Sequence, residues 1–365
     1  MKIEYNGKKK EFTIAIISVI RGVTRNKTMT SFLLTFYAPS PPPHIPDRVI
    51  EQLLKDNNTL QSLSLDIYDE LLPTSLNILE VNTPLTALEW SNNLMASSLL
   101  PHIKGLNCLI LHKPYPPHLL FLSHPSLHTL TLPLDTAESA IELFNILQTN
   151  ATLQALRVEI KERINASSMG TSLQKMLTQN QTLKFLEING SCAFIPSSFL
   201  SNGLRHNTSL QQLSVSISLN KRMKTFIKVI SQNNNLTELK VNFALNQSYI
   251  SNCSEEERKQ KMTPLFYEQI LFAVISMLQS HTAIRLLRIK CEDIDTDSSQ
   301  PKWKELVQSL YETIFIHPSL EYIEIIVYPP PPPSFLVDTL KDQKKKLICR
   351  HREEQPNKPL PIVKL

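Results

Sequence analysis

The chain has 365 residues, of which 42% are hydrophobic and 19% are charged, and its formal net charge is +5. This composition is that of a folded globular protein and excludes a disordered or collagen-like chain. Because Lys and Arg form no single dominant stripe, the charge does not indicate a nucleic-acid partner, and we predict none.

The N-terminal part of the chain contains a short apolar segment at 14–20, which we predict to form a helix. The segment is too short to cross a bilayer, and no secretory signal is evident. The five cysteines are scattered and form no Cys-x-x-Cys pair, which is typical of reduced thiols in an intracellular protein. We therefore predict a cytoplasmic protein with no membrane partner. Since no polar capping repeat precedes the helix, we expect that the natural protein, or its ancestor, extends further at its N-terminus.

A phrase of the form Asn-x-Thr-Leu-x-x-Leu-x-Leu recurs along the chain. It is clear at 57–65 and returns, with small changes, at 150–158, 180–188 and 207–215. A fixed phrase with a period of about 20 to 30 residues indicates a solenoid. The short polar side chains of the phrase are predicted to shape the turn from each helix to the next strand.

The first, fourth and sixth residues of the Leu-x-x-Leu-x-Leu core define a template that eleven segments fit. The fourth and sixth residues alternate with polar ones, which predicts a strand with one buried face. The spacing between successive segments averages about 29 residues. The eleven segments are Met29/Phe32/Leu34, Leu60/Leu63/Leu65, Leu85/Leu88/Trp90, Leu106/Leu109/Leu111, Leu127/Leu130/Leu132, Leu153/Leu156/Val158, Leu183/Leu186/Ile188, Leu210/Leu213/Val215, Leu236/Leu239/Val241, Ile284/Leu287/Ile289 and Leu320/Ile323/Ile325.

Between these strands, apolar residues recur at helical spacing, so each unit is predicted to be strand, loop, helix and turn. No unit can bury its apolar face alone, and stacking of neighbours would form one continuous core. The fold class is therefore predicted to be an α/β solenoid with a parallel sheet and outer helices. The predicted helix faces are Val49/Ile50/Leu53/Leu54, Ile141/Phe144/Leu147, Leu173/Met176/Leu177, Phe226/Ile227/Ile230, Ile270/Leu271/Val274/Ile275/Leu278 and Leu306/Val307/Leu310/Ile314.

The segment from Leu85 to Met95 carries Asn93 at the ninth position of its repeat and an apolar residue at the eleventh. In this it resembles the leucine-rich-repeat family, and the long helix-bearing units are most similar to the ribonuclease-inhibitor-like class, which also forms the sensor end of NOD-like receptors. The resemblance covers nearly the whole chain and implies a horseshoe whose parallel sheet lines a concave face. The other units carry other residues at the ninth position, so the family's asparagine ladder there is mostly absent.

Several segments interrupt or follow the array. We predict a leucine-rich-repeat solenoid over residues 1–340, with a charged insertion at 246–263, and a basic C-terminal tail at 341–365 that carries no repeat. The proline runs at 39–43 and 329–333 follow predicted strands, so we interpret them as rigid connectors, with ligands of SH3- or WW-type domains as the alternative. Pro133 occupies the same phase and is predicted to end its strand.

The residues that could carry chemistry do not form a recognisable constellation. His112, His118, His124 and His128 cluster in sequence but form no His-Glu-x-x-His motif. The acidic segment 292–297 lacks the Gly and Glu of a calcium loop at the required positions. There is no glycine-rich phosphate loop and no Gly-x-Ser-x-Gly elbow. We therefore predict no catalytic, cofactor-binding or metal-binding residue and a protein that is not an enzyme.

A partner would bind to the residues at template positions three and five, which point away from the buried face of each strand. In the later units these positions carry mixed charges and aromatic residues, the kinds that anchor interfaces. We favour a protein–protein interaction scaffold; the alternative is the detached ligand-sensing C-terminal region of a NOD-like innate immune receptor. The candidate partner-binding residues are Arg157, Phe185, Glu187, Glu238, Lys240, Arg288 and Tyr322.

Overall fold

The computed structural model describes most of the chain and divides it into two compact units. Unit 1 comprises Met1–Ile146 and Asn150–Lys161, and unit 2 comprises Leu147–Thr149 and Glu162–Leu365. The proline runs 39–43 and 329–333, the acidic segment 292–297 and most of the insertion 246–263 lie outside the described residues. The described residues are 2–3, 9–36, 48–66, 81–91, 93–161, 167–190, 195–218, 223–244, 254, 256–257, 260, 263, 266–291, 301–327, 345–354 and 356–364.

Unit 1 contains a parallel sheet in which each strand pairs with the next strand in the sequence. Helices connect most of these strands, as the alternation of periodicities predicts. The strands are β1 (Lys2–Ile3), β2 (Ser31–Phe36), β3 (Ser62–Asp66), β4 (Ala87–Trp90), β5 (Cys108–Leu111), β6 (Thr129–Leu134) and β7 (Ala155–Ile160). The helices are α1 (Lys9–Arg25), α2 (Arg48–Asp56), α3 (Asn93–Leu99), α4 (Pro117–Ser123) and α5 (Ala137–Leu147).

Unit 2 has the same organisation. Its strands are β8 (Phe185–Asn189), β9 (Ile195–Pro196), β10 (Gln212–Ser218), β11 (Glu238–Ala244), β12 (Leu286–Cys291), β13 (Tyr322–Val327) and β14 (Ile362–Lys364). They are parallel in the order β8, β10, β11, β12, β13, β14, and β9 pairs with the end of β10. The helices are α6 (Ser167–Gln179), α7 (Ser197–Leu204), α8 (Met223–Gln232), a π-helical stretch (Phe266–Leu271) that continues into α9 (Phe272–Ser280), α10 (Pro301–Ile316) and α11 (345–354).

All eleven segments that fit the template form strands, and the fourth and sixth residues of every one are buried. The register aligns them across neighbouring strands, so that Leu186 lies beside Leu213 and Leu213 beside Leu239. Each fully buried Leu contributes about 1.5–3 kcal/mol to stability. The few buried residues of one strand together contribute less than the conformational entropy cost of ordering the whole repeat, so the buried helix faces must supply the remainder. The observed architecture is an α/β repeat of parallel strands and helices, compatible with the predicted solenoid.

The turns from helix to strand are built on buried asparagines at the start of the repeat phrase. The Oδ1 of Asn57 accepts hydrogen bonds from the backbone N–H groups of Thr59 and Leu60, at 3.0 and 2.8 Å. Its Nδ2 donates to the carbonyls of Val23 and Asn26 in the preceding repeat, at 2.9 and 3.1 Å. These bonds satisfy backbone groups that the end of the helix leaves without partners. The predicted turn role of these residues is confirmed.

The prediction that Pro133 ends its strand is wrong. Strand β6 continues through Pro133 to Leu134, and Pro133 lies beside Glu159 of β7. On the other side, β5 pairs with β6 only as far as Thr131. The missing N–H of proline therefore costs β6 no ladder bond to β5.

The C-terminal segment packs against the last helix of the array. Residues of α11 and β14, among them Ile348 and Val363, cover a buried cluster formed by Val307, Tyr311 and Phe315. Strand β14 extends the sheet by pairing with β13. This segment was predicted only as a tail without a repeat, although Leu360, Val363 and Leu365 fit the strand template and Asn357 begins the phrase.

Candidate binding surface on the sheet

The sheet of unit 2 presents one face whose residues alternate with the buried ones. We define the unit 2 face as two rows of side chains that the parallel register aligns across β8, β10, β11, β12, β13 and β14. The first row is Phe185, Gln212, Glu238, Leu286, Tyr322 and Ile362. The second row is Glu187, Ser214, Lys240, Arg288, Glu324 and Lys364. These residues are half-buried, except for Arg288, Ile362 and Lys364, which are exposed.

Six of the seven candidate partner-binding residues lie on the unit 2 face, and their binding role stays a prediction. Lys240 and Arg288 are neighbours in the second row. Arg157 belongs to unit 1, where it is exposed on β7 beside Thr131 of β6. The residues in unit 2 are Phe185, Glu187, Glu238, Lys240, Arg288 and Tyr322.

The end of the unit 2 face holds an interacting group of charged and aromatic side chains. The Arg288 guanidinium forms an ion pair with the carboxylate of Glu324 on the next strand. A hydrogen bond with Tyr322 is the main cause that raises the pKa of Arg288 above its ordinary value, and Glu324 adds to it. The ammonium of Lys364 lies 5.7 Å from the centroid of the Tyr322 ring, within the range of a cation–π contact. Tyr322 thus lies between two cations.

The carboxylates at the other end of the face are also held by neighbours. Gln212 Nε2 donates to Glu238 Oε1 at 2.9 Å, and Asn189 Nδ2 donates to Glu187 Oε1 at 2.6 Å. Gln212, Glu324 and Lys364 are not among the site residues predicted from the sequence. Gln212 and Glu324 occupy template positions three and five, so this signal was available for them, whereas Lys364 lies in the supposed tail.

Unit 1 carries a smaller polar cluster on the corresponding face of its sheet. Glu89 accepts hydrogen bonds from Ser64 Oγ at 2.6 Å and from His112 Nε2 at 2.9 Å. Burial would raise the pKa of Glu89, but the bonds from Ser64 and His112 outweigh it and hold the pKa below the ordinary 4.5. Burial and the Glu89 charge together raise the pKa of the neighbouring Cys108 thiol.

In the unit 1 cluster, Glu89 is the group that faces the Ser64 hydroxyl, and its lowered pKa makes it a weak base. Nucleophilic catalysis needs a base beside the hydroxyl or thiol, with a third group that orients the base. Here the Ser64 hydroxyl donates to the carboxylate of Glu89, and the histidine contacts the far side of the same carboxylate. The raised pKa of Cys108 also keeps its thiol protonated at neutral pH.

The four histidines that cluster in sequence do not converge in space. His118 Nδ1 lies 2.7 Å from Glu142, His128 Nδ1 lies 2.7 Å from the carbonyl of Ser126, and His124 is buried. Within the part of the chain that the structure describes, no group of three or more His, Cys, Asp or Glu residues could hold a metal ion. Among the described helices, none combines the length and the apolar character that crossing a bilayer requires.

Comparison of the chain with models of known protein families gives no match. A comparison with curated proteins likewise gives no match.

Proposed function

We propose that this chain is a leucine-rich-repeat protein of the ribonuclease-inhibitor-like class and that it serves as an interaction scaffold, binding a partner protein through the unit 2 face. Two features support the class. The strands are parallel and follow each other in sequence order with helices between them, and their spacing matches the long, helix-bearing repeats of that class. The scaffold role rests on the face that the helices leave uncovered.

The observation that carries the proposal is the pair of aligned rows on the unit 2 face. Phe185 and Tyr322 supply aromatic area, and Arg288 supplies a guanidinium, the residue types that dominate interface energetics. Because these side chains stand on strands, little conformational entropy is lost when a partner binds. Six strands at a spacing of about 4.8 Å give the face a length of about 24 Å, close to the side of a standard protein interface.

The charge balance of the face favours a protein partner. The two rows contain three carboxylates, on Glu187, Glu238 and Glu324, and three cations, on Lys240, Arg288 and Lys364. A polyanion such as a nucleic acid would meet as many repulsive as attractive charges, whereas binding to phosphates depends on an excess of Lys and Arg. A protein surface with charges of both signs can complement this pattern and gain specificity from it.

The test is affinity capture from a native extract with the full-length chain. Lys240→Glu combined with Tyr322→Ala should reduce capture of a specific protein roughly ten-fold or more, because it removes a central cation and an aromatic anchor. The matched control is Lys228→Glu, which reverses an exposed charge on α8 away from the face and should leave capture unchanged. Circular dichroism would show that each variant is folded. Equal capture by both variants would contradict the proposed surface.

A further inference from the structure

Two histidines occupy the place that asparagine holds in other repeats. Asn207 and Asn233 each begin a turn, three residues before the buried Leu that opens the next template segment, Leu210 and Leu236 respectively. His281 stands three residues before Ile284, and His317 stands three residues before Leu320. Both histidines are completely or almost completely buried.

The imidazole rings make the same pattern of hydrogen bonds as the asparagine amides. His281 Nδ1 accepts from the N–H groups of Ala283 and Ile284 at 3.2 and 3.1 Å, and its Nε2 lies 3.0 Å from the carbonyl oxygen of Asn233. In asparagine the same roles are played by Oδ1 and Nδ2, as the bond from Asn233 Nδ2 to the Asn207 carbonyl shows. The ring thus links its turn to the equivalent turn of the preceding repeat.

His317 makes the same pattern of hydrogen bonds in the next repeat along the chain. Its Nδ1 accepts from the N–H groups of Ser319 and Leu320 at 3.2 and 3.0 Å, and its Nε2 lies 2.6 Å from the carbonyl oxygen of His281. The carbonyl of His317 in turn accepts a hydrogen bond from the ammonium of Lys358 in the C-terminal segment. Asn233, His281, His317 and Lys358 therefore form a continuous ladder.

These contacts permit only one protonation state of each ring. A backbone N–H can only donate and a carbonyl can only accept, so Nδ1 must carry a lone pair and Nε2 must carry the proton. Protonation at Nδ1 would remove the acceptor of one buried and one partly buried N–H group and would place a charge in the core. Asparagine makes the same bonds without this sensitivity, because its amide does not titrate between pH 5 and 8.

We propose that His281 and His317 form a pH-sensitive latch that holds the repeats of β12, β13 and β14 closed at neutral pH and releases them on acidification. Among the residues that the structure describes, the titratable groups that face the rings are each other and Lys358. A third buried histidine, His351 of α11, faces the carbonyl of Phe315 and not these two turns. None of these facing groups is a carboxylate, so none of them would stabilise a protonated ring.

The direction of the effect follows from proton binding in the two states. Burial lowers the pKa of both histidines below the ordinary 6.5, against the opposing effect of their carbonyl partners, and the charge of Lys358 lowers that of His317 further. The open state therefore binds more protons, and the latch is fully closed above pH 6.5. Below that value, each histidine shifts the equilibrium toward opening by up to about ten-fold per pH unit, until its pKa in the closed state is reached.

The experiment is amide hydrogen exchange of the full-length chain at about pH 7.5 and about pH 5.5, corrected for intrinsic exchange rates. In the wild type, protection of the peptides 281–291 and 317–327 should fall roughly ten- to 100-fold at the lower pH. The peptide 207–218, whose turn begins with Asn207, is the internal control and should not change. Unchanged protection of 281–291 would overturn the proposal.

Two variants separate the latch from general acid sensitivity. The double variant His281→Asn with His317→Asn should keep protection of 281–291 at neutral pH and lose its pH dependence, whereas persistence of that dependence would overturn the proposal. The reverse variant, Asn207→His, should transfer pH dependence to 207–218. If the double variant does not fold, the titration of the histidine rings in the wild type, followed by nuclear magnetic resonance, tests the proposal instead. Titration of His281 near pH 6.5 without loss of protection at Ile284 would refute the latch.

Discussion

The Nδ2 atom of Asn207 lies 3.0 Å from the carbonyl oxygen of Asn180, the residue at the same place in the preceding repeat. Asn180 in turn donates to the carbonyl of Leu147 at 2.7 Å. The side chains that shape each turn therefore also tie it to its neighbour. This coupling explains why a degenerate array keeps the phrase, since one buried amide satisfies backbone groups of two neighbouring repeats.

Replacement of Asn207 by Ala should destabilise unit 2 by about 4 kcal/mol or more. The change leaves the N–H groups of Ser209 and Leu210 and the carbonyls of Leu177 and Asn180 without their partner, and each such buried group costs about 1–3 kcal/mol. Urea unfolding followed by circular dichroism measures the loss. Asn234→Ala, at an exposed position of the next turn, is the control and should change stability by less than about 0.5 kcal/mol.

Leu186→Asp should unfold the middle strands of unit 2, because an unpaired carboxylate in the core is very costly. We expect a loss of more than about 4 kcal/mol, visible as a lower melting temperature. Lys184→Asp introduces the same carboxylate two residues earlier at an exposed position and should have little effect. A melting curve of Leu186→Asp that coincides with the wild type would mean that the register of β8 is misassigned.

Ile348→Asp should detach α11 from the array. Ile348 packs on the cluster of Val307, Tyr311 and Phe315, whereas the next residue, Cys349, is exposed. We expect a loss of about 1–3 kcal/mol in the packing of α11, detected as faster proteolysis and faster amide exchange in 345–354. Cys349→Asp carries the same charge one residue later and should behave as the wild type. Identical protection of both variants would show that this contact does not hold the helix.

The thiol of Cys108 should react slowly with alkylating reagents at about pH 8, because its raised pKa leaves little thiolate. Glu89→Gln removes the nearby negative charge and should increase the alkylation rate several-fold, with peptide mass spectrometry as the measurement. Glu142→Gln, on α5, removes a carboxylate that contacts His118 instead and is the control. An unchanged rate in Glu89→Gln would show that Glu89 does not influence the thiol.

The positions of the strands and turns could be predicted because their causes are local. Alternation of apolar residues identifies a strand with one buried face, and the short amide of Asn is suited to a turn wherever it occurs. The equivalence of His281 and His317 to Asn207 was nevertheless not predicted. Residue type alone does not reveal it, because the turn requires one acceptor and one donor in the right places, which a neutral imidazole also supplies.

The amino-acid sequence by itself determined which residues are buried, where each repeat begins and that the strands are parallel neighbours. Only the tertiary structure decided which polar side chains of the sheet meet, such as Arg288 with Glu324 and Ser64 with Glu89, and that the C-terminal segment covers Phe315. Burial follows a short period along the chain, so it can be read from neighbouring residues. Pairing between repeats joins residues that are 20 or more positions apart, and it depends on a register that exists only after the repeats have packed together.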